Sequence, residues 1–220
     1  MKNLLIKLLH HNTRILQILL FFDLVILALH LTFGSTTPFF HLDFEQNLST
    51  FYQSSKLIGF GMIFFLLGLS RQVKLEMKSF ILPLALGLIF LGVDEWFQIH
   101  ENIYRVFELF EWLRPSKVVE ASMSMGYHSS LWILYYIPLF LIFAVWSGYW
   151  LRYFQSKLKT NVWVIIFSGL CFLTVLLMEI LSSTGSYSGA TYYWLVTVEE
   201  LAEMLLASML VFIGSKILSK

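Results

Sequence analysis

Val93-Asp94-Glu95-Trp96-Phe97-Gln98-Ile99-His100-Glu101 closes a long apolar run in this 220-residue chain. It sets acids where a membrane-crossing helix tolerates almost none. A second such stretch, Val198-Glu199-Glu200-Leu201-Ala202-Glu203, lies inside the last apolar run. An α-helix turns about 100° per residue. With Asp94 at zero, Glu95, Gln98, Glu101, Asn102 and Arg105 share an arc of roughly 120° if the helix continues that far. His100 then points elsewhere, unless the helix breaks first. Glu199, Glu200 and Glu203 cover an arc of about 100° by the same rule. Both runs therefore predict apolar helices with one acidic face.

The composition sets the class. Hydrophobic residues make up 58% of the chain and charged residues 13%, against about 25% charged in ordinary soluble domains. Mean hydropathy is +0.74. The expectation is an all-α, polytopic membrane protein, a single integral domain over 1–220 whose partner is the lipid bilayer. A net charge of +1 gives no case for nucleic-acid binding. The one cysteine, Cys171, lies in an apolar run and reads as a small packing residue, so there is neither an intrachain disulfide nor a Cys-based metal motif.

Six spans near the ~20 residues needed to cross are predicted at about 15–31, 51–70, 80–99, 131–150, 162–181 and 193–213. The basic start, MKNLLIKLLHHNTR, precedes an apolar run too long for a signal peptide and lacking a clean cleavage site, so that run reads as a retained first span. Orientation follows from the cations. With the N-terminus cytoplasmic, the inner segments hold Lys2, Lys7, Arg14, Arg71, Lys74, Lys78, Arg152, Lys157, Lys159, Lys216 and Lys220. The outer half keeps only Lys56, Arg105, Arg114 and Lys117, as the positive-inside rule expects. All acids except Asp23 and Glu76 lie outward. The expected product is a six-helix bundle with both termini cytoplasmic. Asp23, inside the first span, reads as a buried group bonded to a neighbouring helix.

The loops carry weaker signals. Thr50 with Gln53 suggests a capping box for the second span, and Asn47-Leu48-Ser49 matches a glycosylation sequon, a triplet common by chance. Glu45, Asn47, Ser54 and Ser55 are within reach of an outer site, although capping and surface roles suit them too. The 100–130 loop, with Ile103, Val106, Phe107, Phe110 and Leu113 at helical spacing, reads as a surface helix stopping before Pro115. His128, just before the fourth span, joins His100 as a histidine placed for an outer site. Ser182–Thr191 reads as a lid or a plain connector leading into an aromatic belt at Tyr192-Tyr193-Trp194.

The third span runs outward and the sixth inward. Counted from the outer ends, the Asp94-Glu95 and Glu199-Glu200 pairs both fall roughly 7–10 Å deep at 1.5 Å per residue. Glu179, in span five, is reckoned shallower. An inverted repeat, as in many transporters, would put the motifs at opposite depths, so the spacing points to one shared site. A central Asp costs about 3 kcal/mol, and like charges 4 Å apart repel by about 4 kcal/mol at an effective dielectric of 20. These acids therefore need a bound metal, protonation, or cations such as Arg105, Lys56 or Arg114. The oxygen-rich set Asp94, Glu95, Glu101, Glu199, Glu200 and Glu203 suits Mn, Fe, Mg or Ca better than a structural Zn, with His100 or His128 as ligand or catalytic base. The Glu-x-x-His signature of a bundle-core di-iron site is absent. The alternatives are a proton- or cation-coupled transporter, or an accessory subunit whose acids form a structural polar network. Either leaves room for a homo-oligomer or another membrane partner.

Several enzyme classes lack their marks. His100-Glu101 has no second zincin histidine. Gly185-Ser-Tyr-Ser-Gly189 has Tyr187 where a nucleophile elbow needs Ser. Neither a P-loop nor a rhomboid Gly-x-Ser-Gly occurs, and the histidine pattern of ceramidase-like hydrolases is missing. Glu45-x-Asn47-Leu48-x-Thr50, Asp94-Glu95-x4-His100-Glu101 and Glu199-Glu200-x2-Glu203-Met204 together resemble a group of small bacterial multi-spanning proteins of no established activity. The resemblance implies a bacterial inner membrane with outer loops periplasmic or extracellular.

Overall fold

A computed structural model describes residues 11–44, 46–71, 73–100, 102–103, 131–153, 162–182 and 187–218. Among them the fold is all-α, with no strand. Six long helices follow in order: α1 (Asn12–Phe33), α2 (Leu48–Gly68), α3 (Leu75–Phe97), α4 (Leu131–Tyr153), α5 (Val162–Ser182) and α6 (Gly189–Leu218), with a 3-10 turn at Pro38–Phe40 between α1 and α2. Five of them, α1, α2, α3, α5 and α6, are long and apolar enough to cross a membrane. The apolar part of α4, Tyr135–Trp150, is shorter.

The bundle is apolar outside as well as inside. Phe21 and Leu24 on α1, Val145 on α4 and Leu173 on α5 are all more than half exposed. In water such a surface would drive aggregation; in a bilayer it is the solvated face. Because lipid is as apolar as Leu, helices associate there through close packing and buried polar contacts. The α2–α3 pair uses both. A Cβ on Gly92 would lie 2.7 Å from Ile58 Cγ1 and 3.0 Å from the Ser54 carbonyl oxygen, so glycine is what lets the two helices approach. Ser54 Oγ then donates to the Gly92 carbonyl at 2.6 Å.

α6 is the central helix. It touches α1, α2, α3 and α5, and Met204, Ser208, Val211, Ser215 and Ile217 are at most 1% exposed. Phe64, Ile81, Leu84, Leu88, Val211 and Ile217 form the main core. α4 joins it through aromatic stacking, with Phe80 parallel to Trp146 at 5.1 Å and Phe140 edge-on to Phe172 of α5 at 5.2 Å.

Two expectations are corrected. The cap of α2 is Asn47 rather than a Thr50–Gln53 box. Asn47 Oδ1 accepts from the Thr50 backbone N–H at 2.8 Å and from Ser49 Oγ at 3.0 Å. Its Nδ2 donates to the carbonyls of His41 and Leu42. With every amide atom engaged and the residue 3% exposed, Asn47 serves the folded chain as a cap. The second correction concerns α3, which stops at Phe97. Gln98 follows in the left-handed region, φ 52° and ψ 43°, so the polar arc reckoned for a continuous helix does not persist beyond it.

Candidate functional site

The break at Gln98 builds the first half of the site. It turns the chain back so that His100 meets Asp94, six residues earlier on α3. The His100 backbone N–H donates to Asp94 Oδ1 at 2.9 Å, and His100 Nδ1 lies 2.9 Å from Asp94 Oδ2. Tyr136 of α4 donates its hydroxyl to Oδ1 at 3.2 Å. A carboxylate only accepts, so Nδ1 carries the proton and Nε2 carries the lone pair in the neutral ring. Asp94, 7% exposed, thus closes the helix end and fixes the tautomer of its neighbour. Trp132 packs edge-on to the His100 ring at 5.4 Å.

His100 lines a cavity of about 150 Å³. α2 contributes Thr50 and α4 Trp132 to the remaining wall, and its acids come from four other parts of the chain. α3 contributes Glu95, α5 contributes Glu179 and Ser182, and α6 contributes Tyr192, Val196, Glu199, Glu200 and Glu203. The α1–α2 connection contributes Leu42, Asp43 and Phe44. The described wall therefore holds six carboxyl-bearing side chains and no Lys or Arg. Acids in such a wall attract cations when they are ionised. The cavity also has room for several waters, since one needs roughly 10–15 Å³ of such space.

Of the expected site residues, Glu95, Glu199, Glu200, Glu203 and His100 line this one cavity. Asp94 stands behind His100 and is not part of the wall. Glu101 and His128 lie outside the described residues, as do Glu45, Arg105 and Arg114. Glu179 and Asp43 were not expected in the wall. Glu179, three residues from the end of α5, nevertheless shares the wall with Glu199, ten residues into α6. Among the described residues, no group of three or more His, Cys, Asp or Glu is gathered closely enough to hold a metal ion. The acids are spread around a space instead of converging on a point.

A second polar centre lies deeper. Lys56, counted with the outer cations, is in the first half of α2 and its side chain is 1% exposed. Its Nζ sits 3.0 Å from Asp23 Oδ1, 2.9 Å from the Met204 carbonyl oxygen and 3.2 Å from Ser208 Oγ. All three ammonium protons thus have acceptors. Ser208 Oγ in turn donates to Asp23 Oδ2 at 2.6 Å, and the Tyr52 ring lies 4.6 Å under the ammonium. This centre ties α1, α2 and α6 together, and supplies the neighbouring-helix partner expected for Asp23.

These features define a class: an integral membrane helix bundle with a carboxylate-lined cavity at one end and a buried ion pair beneath it. The profile of a family described as a domain of unknown function (DUF8692) matches residues 15–215, and the chain belongs to that family. No curated protein and no solved structure matches it.

Proposed function

We infer that the protein captures a hydrated divalent cation in this cavity from the outer side of the membrane, with six spans and both termini cytoplasmic. One observation carries the reading: six carboxyl-bearing residues and no Lys or Arg in the described wall of a space with room for several waters. Dispersed acids cannot give a closed inner coordination shell, but they suit an ion that keeps much of its own water, as Mg²⁺ does. Mn²⁺ and Ca²⁺ follow by the same oxygen-ligand chemistry. Glu95, Glu199, Glu200 and Glu203 would bind the hydrated ion, with Asp94 and Tyr136 holding His100 as a base or nitrogen ligand beside it. The distribution of Lys and Arg along the chain supports the orientation.

The test is equilibrium binding of Mn²⁺ and Ca²⁺ to the purified full chain, with Mg²⁺ competition, beside Glu199→Gln and Glu200→Gln. Stoichiometric binding in the wild type, weakened at least tenfold in either folded variant, is the expected result. A wild type that binds none of these ions, nor Fe²⁺ or Zn²⁺, would overturn it.

A second reading, proton- or cation-coupled transport, is favoured by the Lys56–Asp23 pair. Ionisable groups within spans mark ion paths in many membrane proteins, and this pair bonds Met204 and Ser208 of α6, the helix that also carries Glu199, Glu200 and Glu203 of the cavity wall. Gradient-driven flux in liposomes, lost in both Asp23→Asn and Glu200→Gln, would select it over simple binding.

A further inference from the structure

The α1–α2 connection supplies one wall of the cavity through Leu42, Asp43 and Phe44. Asn47 Nδ2 holds the His41 and Leu42 carbonyls of this connection, and its Leu42 N–H is held by His30, a fully buried residue near the end of α1. The Leu42 backbone N–H donates to His30 Nδ1 at 3.2 Å. That nitrogen is therefore an acceptor and carries no proton. On the other side of the ring, Nε2 lies 2.9 Å from Thr197 Oγ1 of α6. The Thr197 hydroxyl proton is already given to the Tyr193 carbonyl at 2.6 Å, so Nε2 must be the donor of that pair. The hydrogen bonds fix one state of the ring, neutral with the proton on Nε2. Tyr193 stacks on the ring at 4.6 Å and returns its own hydroxyl to the His30 carbonyl at 3.2 Å. Gly34 completes the seat, because a Cβ there would lie 2.6 Å from Nδ1.

We propose that His30 is a proton-operated latch on the 41–44 segment, and that protonation of its Nδ1 releases this segment from the cavity mouth. An imidazolium has two N–H groups and no acceptor. A proton on Nδ1 faces the Leu42 N–H donor directly, so the bond between the segment and α1 becomes a donor–donor contact and a buried charge appears beside it. The segment must move for the ring to be paired or hydrated. Other ionisable groups facing His30 are His41, whose ring is edge-on at 5.2 Å, and Asp43 of the same segment; α6 presents Tyr193. Asp43 is held separately by the Tyr192 hydroxyl at 3.0 Å, a bond that survives protonation of His30 and serves as the hinge side of the motion. The inference stands on this hydrogen bonding and is independent of what occupies the cavity.

The test is a nitroxide at Phe44→Cys in a Cys171→Ala background of the full chain, in detergent micelles, between about pH 7.5 and pH 4, which covers the ordinary histidine range and extends below it for a buried ring. The spectrum is expected to gain a mobile component in acid. The change is expected to persist in His41→Gln and Asp43→Asn, and to vanish in His30→Gln. An acid response unchanged in His30→Gln, or no response with His30 present, would overturn the proposal. Ring ¹⁵N NMR of the unsubstituted chain tests it without any variant. At neutral pH it must show His30 with its proton on Nε2, and a proton on Nδ1 would also overturn it.

Discussion

Lys56→Met isolates a wholly buried carboxylate. Asp23 is 0% exposed. It would keep the Ser208 hydroxyl at 2.6 Å but lose the ammonium at 3.0 Å that balances its charge. Stripping one partner from a buried ion pair costs about 3–5 kcal/mol, far above the roughly 0.6 kcal/mol typical of a neutral hydrogen bond between membrane helices. Asp23→Leu strands the Lys56 ammonium on the Met204 carbonyl and Ser208 alone and should cost a similar amount. The double variant Lys56→Met/Asp23→Leu removes both charges and keeps similar side-chain volumes. Apolar replacement of a whole buried pair is often neutral or stabilising, so it is expected within about 2 kcal/mol of the wild type on that same basis. The coupling energy is then at least about 3 kcal/mol, most of it the penalty of a lone buried charge. Reversible unfolding of the four proteins in mixed micelles, followed by tryptophan fluorescence, measures the cycle. A double variant as unstable as the sum of the singles would refute the reasoning, because the two residues would then act independently.

Two more outcomes follow from contacts within α3. Gly92→Ala places a methyl 2.7 Å from Ile58 Cγ1 and should destabilise the bundle by about 1–3 kcal/mol through overpacking, whereas Gly87→Ala, with nothing within 4 Å, should be neutral or stabilise by up to about 1 kcal/mol; the same unfolding assay compares them. Tyr136→Phe removes one bond to Asp94 and should cost about 1 kcal/mol while leaving the His100 tautomer unchanged by ring ¹⁵N NMR, whereas Asp94→Asn should disturb that tautomer.

Hydropathy, cation placement and the position of acids along the chain are local properties, and the sequence alone determined them. They sufficed for an all-α membrane protein and for helices near the expected runs; Glu95, Glu199, Glu200 and Glu203, picked out on the same basis, line one cavity. They also suggested a partner for Asp23 without naming it. That partner, Lys56, lies on another helix and was counted instead with the outer cations. Which face of one helix meets which face of another depends on rotation, tilt and where each helix starts, and residue spacing does not encode these. α6 begins at Gly189 and α3 ends at a left-handed Gln98. The break at Gln98 swings His100 back onto Asp94, and the pairing of α5 with α6 puts Glu179 in one wall with Glu199. The same holds for Asp43 and His30. Both look like ordinary loop and helix-end residues until the turn after α1 folds Leu42 down onto the ring, and only that closure gives the His30 nitrogens their different roles.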